Sequence, residues 1–206
     1  MYIPLEYKNT NVDEIREFIN ANSFGILVNQ TNKKLWATHT PMELTKNAEG
    51  KDVLLTHISR GNMQWKGIDE NQDVLAIFQG PHTYISSSWY DYESVPTWNY
   101  IAVHVYGKMK LLEGQELRDA LKRLIDKYEV DSEHPISMEK MSEKYINREI
   151  KGVKGLEIEI TSIEASYKLS QGKSPKNHES IVSELKKRGD AGSDQIAEAM
   201  KKFQKK

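Results

Sequence analysis

The chain has 206 residues, of which 38% are hydrophobic and 29% are charged. This length fits one domain with an appendage better than two full domains. The absence of cysteine excludes disulfides, thiolate chemistry and cysteine-based zinc sites. The opening residues lack the basic and apolar regions of a signal peptide, and no apolar run approaches the roughly 20 residues that span a bilayer. We therefore expect a cytoplasmic protein that makes no membrane contact.

Charge is distributed unevenly along the chain. The formal net charge is −1, but residues 171–206 carry 9 Lys/Arg and 5 Asp/Glu, which gives this segment a net charge of +4. The remaining residues carry 20 Lys/Arg and 25 Asp/Glu, a net charge of −5. A basic tail on an acidic body is compatible with an anionic partner and equally with a solvated helix.

The first half of the chain predicts one helix followed by a series of strands. Asn11 and an acidic first turn predict a helix with Ile15, Phe18 and Ile19 on one face. Apolar runs and alternation predict strands at residues 24–28, 36–44, 53–57, 73–79, 84–85 and 98–112. We predict a hairpin turn at 29–34, and we expect Gly80 and Pro81 to stop the strand that begins at residue 73.

The second half is more helical. It predicts helices at 116–128, 137–146, 179–188 and 193–203, a strand at 156–160 and a polar linker at 170–177. Strands and helices do not alternate, which favours a β-barrel core with flanking helices over a doubly wound sheet. We therefore predict an α+β, mainly β protein with one domain at residues 1–170 and a helical C-terminal tail at 171–206.

Polar residues gather at predicted strand ends and turns of the middle third, at residues 38–41, 57–65, 79–86 and 96–100. In the second group, Ser59, Arg60 and Gly61 follow a strand. A guanidinium offers a planar fork of donors that matches phosphate oxygens, the hydroxyl adds a donor, and glycine lets the backbone approach closely. These residues suit a phosphomonoester, and a solvated turn that carries an arginine is the alternative.

Aromatic residues lie in or beside the same groups. They are Trp65, Trp89, Trp98, Tyr84, Tyr90, Tyr92 and Tyr100. A flat ring system would stack well on such side chains, but they are equally suited to pack barrel ends or a dimer interface. A site shared between two subunits would satisfy both interpretations.

Four histidines, His39, His57, His82 and His104, lie on or near predicted strands, but none has a metal-ligand spacing such as His-x-x-Glu-His. We therefore expect no metal site, and we interpret His104 as a hydrogen-bonded structural residue. The sequence contains no nucleophile elbow, P-loop or Rossmann glycine motif. Whether the chain is an enzyme is left open by these residues.

Several strings of residues resemble the PaiB family of FMN-binding negative transcriptional regulators. They are MYIP at 1–4, ATHTP at 37–41, SRGNMQW at 59–65, AIFQGPHTYIS at 76–86 and VPTWNY at 95–100. The resemblance extends to about residue 170. It implies a split β-barrel (an FMN-binding split barrel) related to pyridoxamine-phosphate oxidases and flavin reductases. In that fold two subunits share two flavin sites, so a homodimer with FMN at or near its interface is implied.

The resemblance also implies a set of FMN-binding residues. Ser59 and Arg60 match the segment that holds the FMN phosphate in split-barrel oxidases, although Gly61 replaces a lysine that those oxidases usually carry. The remaining members would line the isoalloxazine edge (Thr38, His39 and Thr40), approach from the next strand (Gln79 and His82), come from the partner subunit (Trp98 and Asn99) or flank the phosphate turn (His57, Gln64 and Trp65).

The function implied by the resemblance is negative regulation of transcription, linked to protease production and sporulation. DNA would be contacted directly or through another protein. The tail superficially resembles a helix–turn–helix, but we expect it to pack on the barrel or on the partner subunit instead. One alternative is a flavin-dependent reductase or oxidase. Another is a haem-binding or haem-degrading protein that uses His39, His57, His82 or His178.

Overall fold

The computed structural model describes residues 1–69 and 71–204, which form eight strands and five α-helices. The strands are β1 (Lys8–Asn9), β2 (Phe24–Thr31), β3 (Lys34–Pro41), β4 (Glu43–Lys46), β5 (Asp52–Ser59), β6 (Val74–Ile85), β7 (Thr97–Leu112) and β8 (Val153–Lys168). The helices are α1 (Val12–Ala21), α2 (Gly114–Glu129), α3 (Glu143–Ile150), α4 (Pro175–Arg188) and α5 (Ala191–Lys202). Short 3-10 helices occupy Leu5–Tyr7, Met63–Gly67, Ser87–Trp89 and Met138–Lys140.

The eight strands form one sheet, in which the order of the strands differs from their order along the chain. Its order is β3-β2-β6-β7-β8-β5-β4, and β1 pairs with β8. Neighbours with a defined register are antiparallel. This arrangement of strands, with helices before, between and after them, confirms the predicted α+β, mainly β class. None of the helices within 1–69 and 71–204 is long and apolar enough to cross a membrane.

The backbone divides into two compact units. The central unit contains residues Ile19–Ile77 and Val105–Ile163, and the terminal unit contains Met1–Phe18, Phe78–His104 and Glu164–Lys206. Strands β6, β7 and β8 contribute residues to both units. The terminal unit therefore includes α4 and α5, while the domain boundary expected at residue 170 stays a prediction.

In the central unit, β2 and β3 form a hairpin with a turn of two residues. The register runs from Phe24↔Pro41 to Thr31↔Lys34, and both turn residues, Asn32 and Lys33, have positive φ angles of 53° and 63°. The predicted turn at 29–34 is therefore too long. The polar side chains of Asn29 and Thr31 are buried because both donate to the carbonyl oxygen of Gln64, at 3.1 and 3.2 Å.

The single strand predicted at 36–44 is wrong, because the chain changes partners at Met42. That side chain is 1% exposed, and it separates β3, which pairs with β2, from β4, which pairs with β5. Side chains also link β3 to β5. The Thr40 hydroxyl donates to the His57 carbonyl at 2.9 Å and the Thr56 hydroxyl donates to the Pro41 carbonyl at 2.7 Å.

Gly80 and Pro81 do not stop β6, which continues to Ile85. The register with β2 covers Leu75 to Ile77 and so ends before this pair, where a missing N–H is tolerated. Within the terminal unit, a Cβ atom on Gly80 would lie 2.5 Å from the Phe18 ring. The glycine is therefore required by close packing rather than by a turn.

Strand β8 is far longer than the strand predicted at 156–160. It pairs with β5 from Val53↔Glu159 to Ser59↔Val153 and with β1 at Lys8↔Ser166. Burial along β8 does not alternate, so a search for period-two patterns finds only its centre. The helix predicted at 137–146 instead begins at Glu143, after Ser142 accepts a capping hydrogen bond from the Tyr145 N–H.

The tail forms two capped helices, close to those predicted. Ser174 caps α4, Gly189 ends it with φ 70°, and Asp190 caps α5. The apolar side chains that this hairpin buries are Ile181, Leu185, Ile196, Ala197 and Met200. Burial of this kind indicates a packed element and not a solvated tail.

Gly107 marks a close approach between β7 and β8 in the central unit. A Cβ atom at this position would overlap the carbonyl oxygen of Glu159 and lie 2.7 Å from Cγ2 of Ile158. The obstructing oxygen belongs to the backbone, so rotation of a side chain does not relieve the overlap. Only glycine fits at this crossing.

Replacement of Gly107 by alanine should lower the free energy of unfolding by about 1–3 kcal/mol, the usual cost of overpacking. Urea denaturation followed by circular dichroism measures this change. Gly61→Ala is the matched control, because its Cβ would meet only the Ser59 hydroxyl, at 3.7 Å. Equal stabilities of the two variants would contradict the assignment.

Candidate functional site

The turn after β5 presents Arg60 to solvent. Its N–H donates to the Gly152 carbonyl at 2.8 Å, while the Asn62 N–H donates to the Ser59 carbonyl at 2.9 Å. These bonds fix the backbone of the turn. Both Ser59 and Arg60 are exposed, and within residues 1–69 and 71–204 no carboxylate pairs with the guanidinium. The cation is therefore available to an external anion.

Two lysines lie beside the indole of Trp65, which is bonded to the backbone of Arg60. Lys154 Nζ lies 4.8 Å from the ring centroid and Lys66 Nζ lies 5.6 Å from it. The indole N–H donates to the Arg60 carbonyl at 3.0 Å. We call Arg60, Lys66 and Lys154, with Trp65 between them, the basic cluster. A carboxylate of Glu113 lies 3.7 Å from Lys154, but its side chain is 73% exposed and the pair is correspondingly weak.

Sequence reasoning missed both lysines of the basic cluster. Lys154 enters it because the β5–β8 register places Ile58 opposite Lys154, one residue before Ser59. That pairing joins distant parts of the chain and has no local sequence signal. Lys66 directly follows Trp65, the last residue of the string that suggested the site, and so lies just outside that string. The two lysines supply positive charge that is missing at position 61, where glycine replaces the lysine of the split-barrel oxidases.

Gln64 lies beneath this turn and is completely buried. Its amide oxygen accepts from the Thr38 hydroxyl at 2.5 Å, and its amide nitrogen donates to the Leu27 carbonyl at 3.0 Å. Asn62 donates to the same Thr38 oxygen at 2.7 Å. Every polar atom of the Gln64 side chain faces protein, so this predicted ligand supports the turn from inside. The amide has no surface to offer a cofactor.

The residues expected at the isoalloxazine edge differ in exposure. Thr40 is buried and bonded to Thr56 and to the His57 backbone. His39 is exposed and stacks on Phe24, with ring centroids 6.3 Å apart. His57 is half-buried, and its burial lowers the pKa of the imidazole, which is neutral near pH 7. His39, an expected edge residue, and His57, which the resemblance places beside the phosphate turn, thus both have surface that can meet a ligand.

The terminal unit holds the remaining predicted residues. The rings of His82 and Tyr84 lie 6.2 and 6.1 Å from that of Trp98, which is 54% exposed. We call these three side chains the aromatic platform. Gln79 lies beside it, with its amide nitrogen 3.2 Å from Nδ1 of His82. Asn99 is fully buried and faces away from Trp98, so it is not part of the platform.

The structure therefore brings ten of the twelve predicted residues into three groups and leaves His39 and Asn99 outside them. Arg60, Ser59 and Trp65 gather at the basic cluster, with Gln64 and Thr38 beneath it, and Thr40 and His57 lie together at the β3–β5 link. Gln79, His82 and Trp98 gather at the platform. Across 1–69 and 71–204, no group of three or more His, Asp or Glu residues could hold a metal ion.

Comparison with known proteins identifies relatives. Residues 1–162 match the family described as "Putative FMN-binding domain". The chain is 42% identical over 200 residues to the "Protease synthase and sporulation protein PAI 2" of Bacillus subtilis, covering 97% of this chain and 96% of that one.

Solved structures with the same fold include two flavoproteins. The flavocytochrome Anf3 of Azotobacter vinelandii has a TM-score of 0.58 at 13% identity, covering 78% of this chain and 69% of that one. An FAD and haem binding protein of Mycobacterium smegmatis has a TM-score of 0.58 at 11% identity, covering 79% and 73%. These likenesses confirm the predicted split barrel. The family match over residues 1–162 and the 42% identity to the Bacillus subtilis protein show that the chain belongs to the PaiB family of proteins with an FMN-binding domain.

Proposed function

We propose that this protein binds FMN through the basic cluster and acts as a PaiB-type negative regulator of transcription, linked to protease production and sporulation. The observation that carries the flavin assignment is the exposed turn at Arg60, whose guanidinium has no carboxylate partner in the part of the chain that the structure describes and whose carbonyl accepts from the indole that Lys66 and Lys154 flank. The support for a regulatory role is the 42% identity to the Bacillus subtilis protein over almost the whole chain.

The residues present fit the phosphate end of FMN. A phosphomonoester carries about two negative charges at neutral pH and accepts hydrogen bonds on its terminal oxygens. Arg60 offers a bidentate fork, and Ser59 adds an exposed hydroxyl beside it. Lys154 adds a point charge from β8. Its side chain is 19% exposed and its ammonium is held over Trp65, so the position of this charge is defined. Two further cations thus accompany the arginine.

Bound FMN would supply one- or two-electron redox chemistry. The contribution of this chain is to hold and orient it. The basic cluster fixes the phosphate, and the Gln64 network keeps Arg60 in place. The neutral imidazole of His57 offers one donor and one acceptor without adding charge.

We propose that regulation reaches DNA through another protein. The basic residues at the end of α4 are already engaged, since Lys186 pairs with Glu198 at 2.7 Å and Lys187 pairs with Glu184 at 2.6 Å. Arg188 donates to the Tyr84 carbonyl at 2.7 Å. Cations that are paired in this way release few counterions from DNA, so the tail is poorly suited to direct contact.

The homodimer is likewise a proposal. Trp98 and Tyr84 leave 54% and 39% of their surface exposed, and exposed aromatic residues are enriched at interfaces. A second subunit that brings a flavin against the aromatic platform would cover this surface. Multi-angle light scattering of the purified protein gives the mass directly.

A flavin-dependent oxidoreductase is the second candidate, because the half-buried imidazole of His57 at the β3–β5 link can exchange a proton with a ligand. Fold alone does not establish such chemistry. A haem-binding role has fewer ligands available, since His178 is 5% exposed, whereas His39 and His82 are exposed. Oxidation of NAD(P)H would favour the reductase, and a Soret band lost in one His→Ala variant would favour haem.

Titration of the purified protein with FMN tests the basic cluster. Wild type should bind FMN stoichiometrically, and Arg60→Ala should weaken binding at least tenfold, a cost of about 1.4 kcal/mol. Lys154→Ala should also weaken it. Riboflavin lacks the phosphate, so its affinity should be unchanged by either substitution. Arg148→Ala, whose side chain is 70% exposed and lies on α3, is the control. Equal losses for FMN and riboflavin would refute the phosphate assignment.

Substitution of Gln64 by leucine tests the support beneath the turn. It leaves the Leu27 carbonyl and the Thr38 hydroxyl without their amide partner, so stability should fall by about 1–3 kcal/mol. FMN affinity should fall as well, because Arg60 loses its fixed position. Gln72→Leu, at an exposed site, should change neither quantity. Urea denaturation and flavin fluorescence provide the two measurements, and normal FMN binding by Gln64→Leu would contradict the role.

Electrophoretic mobility shifts on genomic DNA fragments test indirect regulation. The FMN-loaded protein should show weak retention that disappears between about 50 and 150 mM salt, as expected for non-specific binding. Sequence-specific retention at the higher salt, lost on substitution of Lys201 and Lys202 by alanine, would show that the tail contacts DNA itself.

A further inference from the structure

Strands β6 and β7 present two different faces in the terminal unit. His82 and Tyr84 on β6 and Trp98 on β7 are exposed, and they form the aromatic platform. Their neighbours Thr83 and Asn99 are 6% and 0% exposed. Since successive side chains on a strand point to opposite faces, these two polar residues lie directly behind the platform.

The C-terminal hairpin α4–α5 covers this rear face at Thr83. The Thr83 hydroxyl lies 3.1 Å from that of Ser193, which is fully buried. Arg188 donates to the same Thr83 oxygen at 3.2 Å and to the Tyr84 carbonyl at 2.7 Å. A Cβ atom on Gly192 would lie 3.2 Å from the His82 carbonyl, so the first turn of α5 approaches the strand closely.

A second contact holds β7 through Asn99. Its amide oxygen accepts from the Ser170 hydroxyl at 3.1 Å, and its amide nitrogen donates to Sδ of Met200 at 3.5 Å. Ser170 has a positive φ of 62°, an uncommon conformation for a residue with a side chain. The two strands that carry the platform are thus each fixed by buried polar contacts to the tail.

We propose that Thr83 and Asn99 are positioning residues, through which the C-terminal hairpin sets the spacing of His82, Tyr84 and Trp98 for stacking against a planar flavin ring. The inference rests on the proposed function. Hydrogen bonds are directional, whereas apolar contacts tolerate sliding, so polar contacts are the means to fix ring positions. The hairpin lies beyond residue 162, where the family match ends, and it becomes part of the binding site under this proposal.

Two substitutions of Thr83 separate its hydroxyl from its shape. Thr83→Val keeps the shape and removes the hydroxyl, and Thr83→Ser restores the hydroxyl. Ser183→Ala is the matched control, because Ser183 lies on the exposed side of α4. The probe is riboflavin, which has the flavin ring but no phosphate. Its binding therefore does not depend on the basic cluster. The two readouts are riboflavin affinity with visible circular dichroism, and the near-ultraviolet circular dichroism of the flavin-free protein.

Thr83→Val should weaken riboflavin binding about fivefold or more and change the visible dichroism of the bound ring. It should also remove the part of the near-ultraviolet signal that Trp98→Phe removes. Thr83→Ser and Ser183→Ala should remain within about twofold of wild type. Unchanged affinity and an unchanged Trp98 signal in Thr83→Val would overturn the inference, even if the melting temperature falls.

The two proposals fail differently. If wild type binds neither FMN nor riboflavin, the flavin function is wrong, and the near-ultraviolet comparison still decides whether the hairpin positions the rings. If wild type binds both ligands and Thr83→Val behaves like Ser183→Ala, the flavin function stands and the positioning role is rejected.

Discussion

The candidate phosphate site depends on one buried amide. Gln64 satisfies both ends of its side chain with Thr38 and Leu27, and its own carbonyl receives two more donors from β2. A buried amide left without partners costs about 1–3 kcal/mol, so alternative arrangements of this segment are strongly disfavoured. The Thr38 hydroxyl also receives the Asn62 amide, which connects the two ends of the turn. The inner side of the turn is fixed, and its outer side is left to Arg60.

A binding site for an anion must keep its cations together without neutralising them. Elsewhere, basic side chains pair with carboxylates, as Arg118 does with Glu143 and Lys122 with Asp126. In the basic cluster the organising group is the indole of Trp65. A cation–π contact is worth about 0.5–2 kcal/mol and leaves the positive charge available. The Trp65 ring thus fixes the positions of Lys66 and Lys154 while their positive charges stay available to an anion.

Local signals predicted much of this protein, and long-range pairings account for most of what they missed. Caps and apolar periodicity located α1, α2 and the tail helices, and the composition of the turn identified Arg60. The length of β8 and the place of Lys154 follow from the β5–β8 register, which no local pattern encodes. Gly80 with Pro81 predicts a strand end, but the glycine is needed for its contact with Phe18, which lies far away in sequence. Gln64 and Asn99 were assigned to the cofactor because a polar side chain in a conspicuous string gives no indication of the direction in which it points.

The β2–β3 hairpin carries a further consequence. Lys33 holds a left-handed conformation at a position where glycine is favoured, and this costs roughly 1 kcal/mol or more for a residue with a side chain. The turn therefore does little to start the hairpin on its own. The contacts that secure it come from Asn29 and Thr31 to the Gln64 backbone, a segment made more than thirty residues later. The turn after β5 therefore stabilises the hairpin from a distant part of the sequence, so a segment that presents Arg60 to solvent also supports the sheet beneath it.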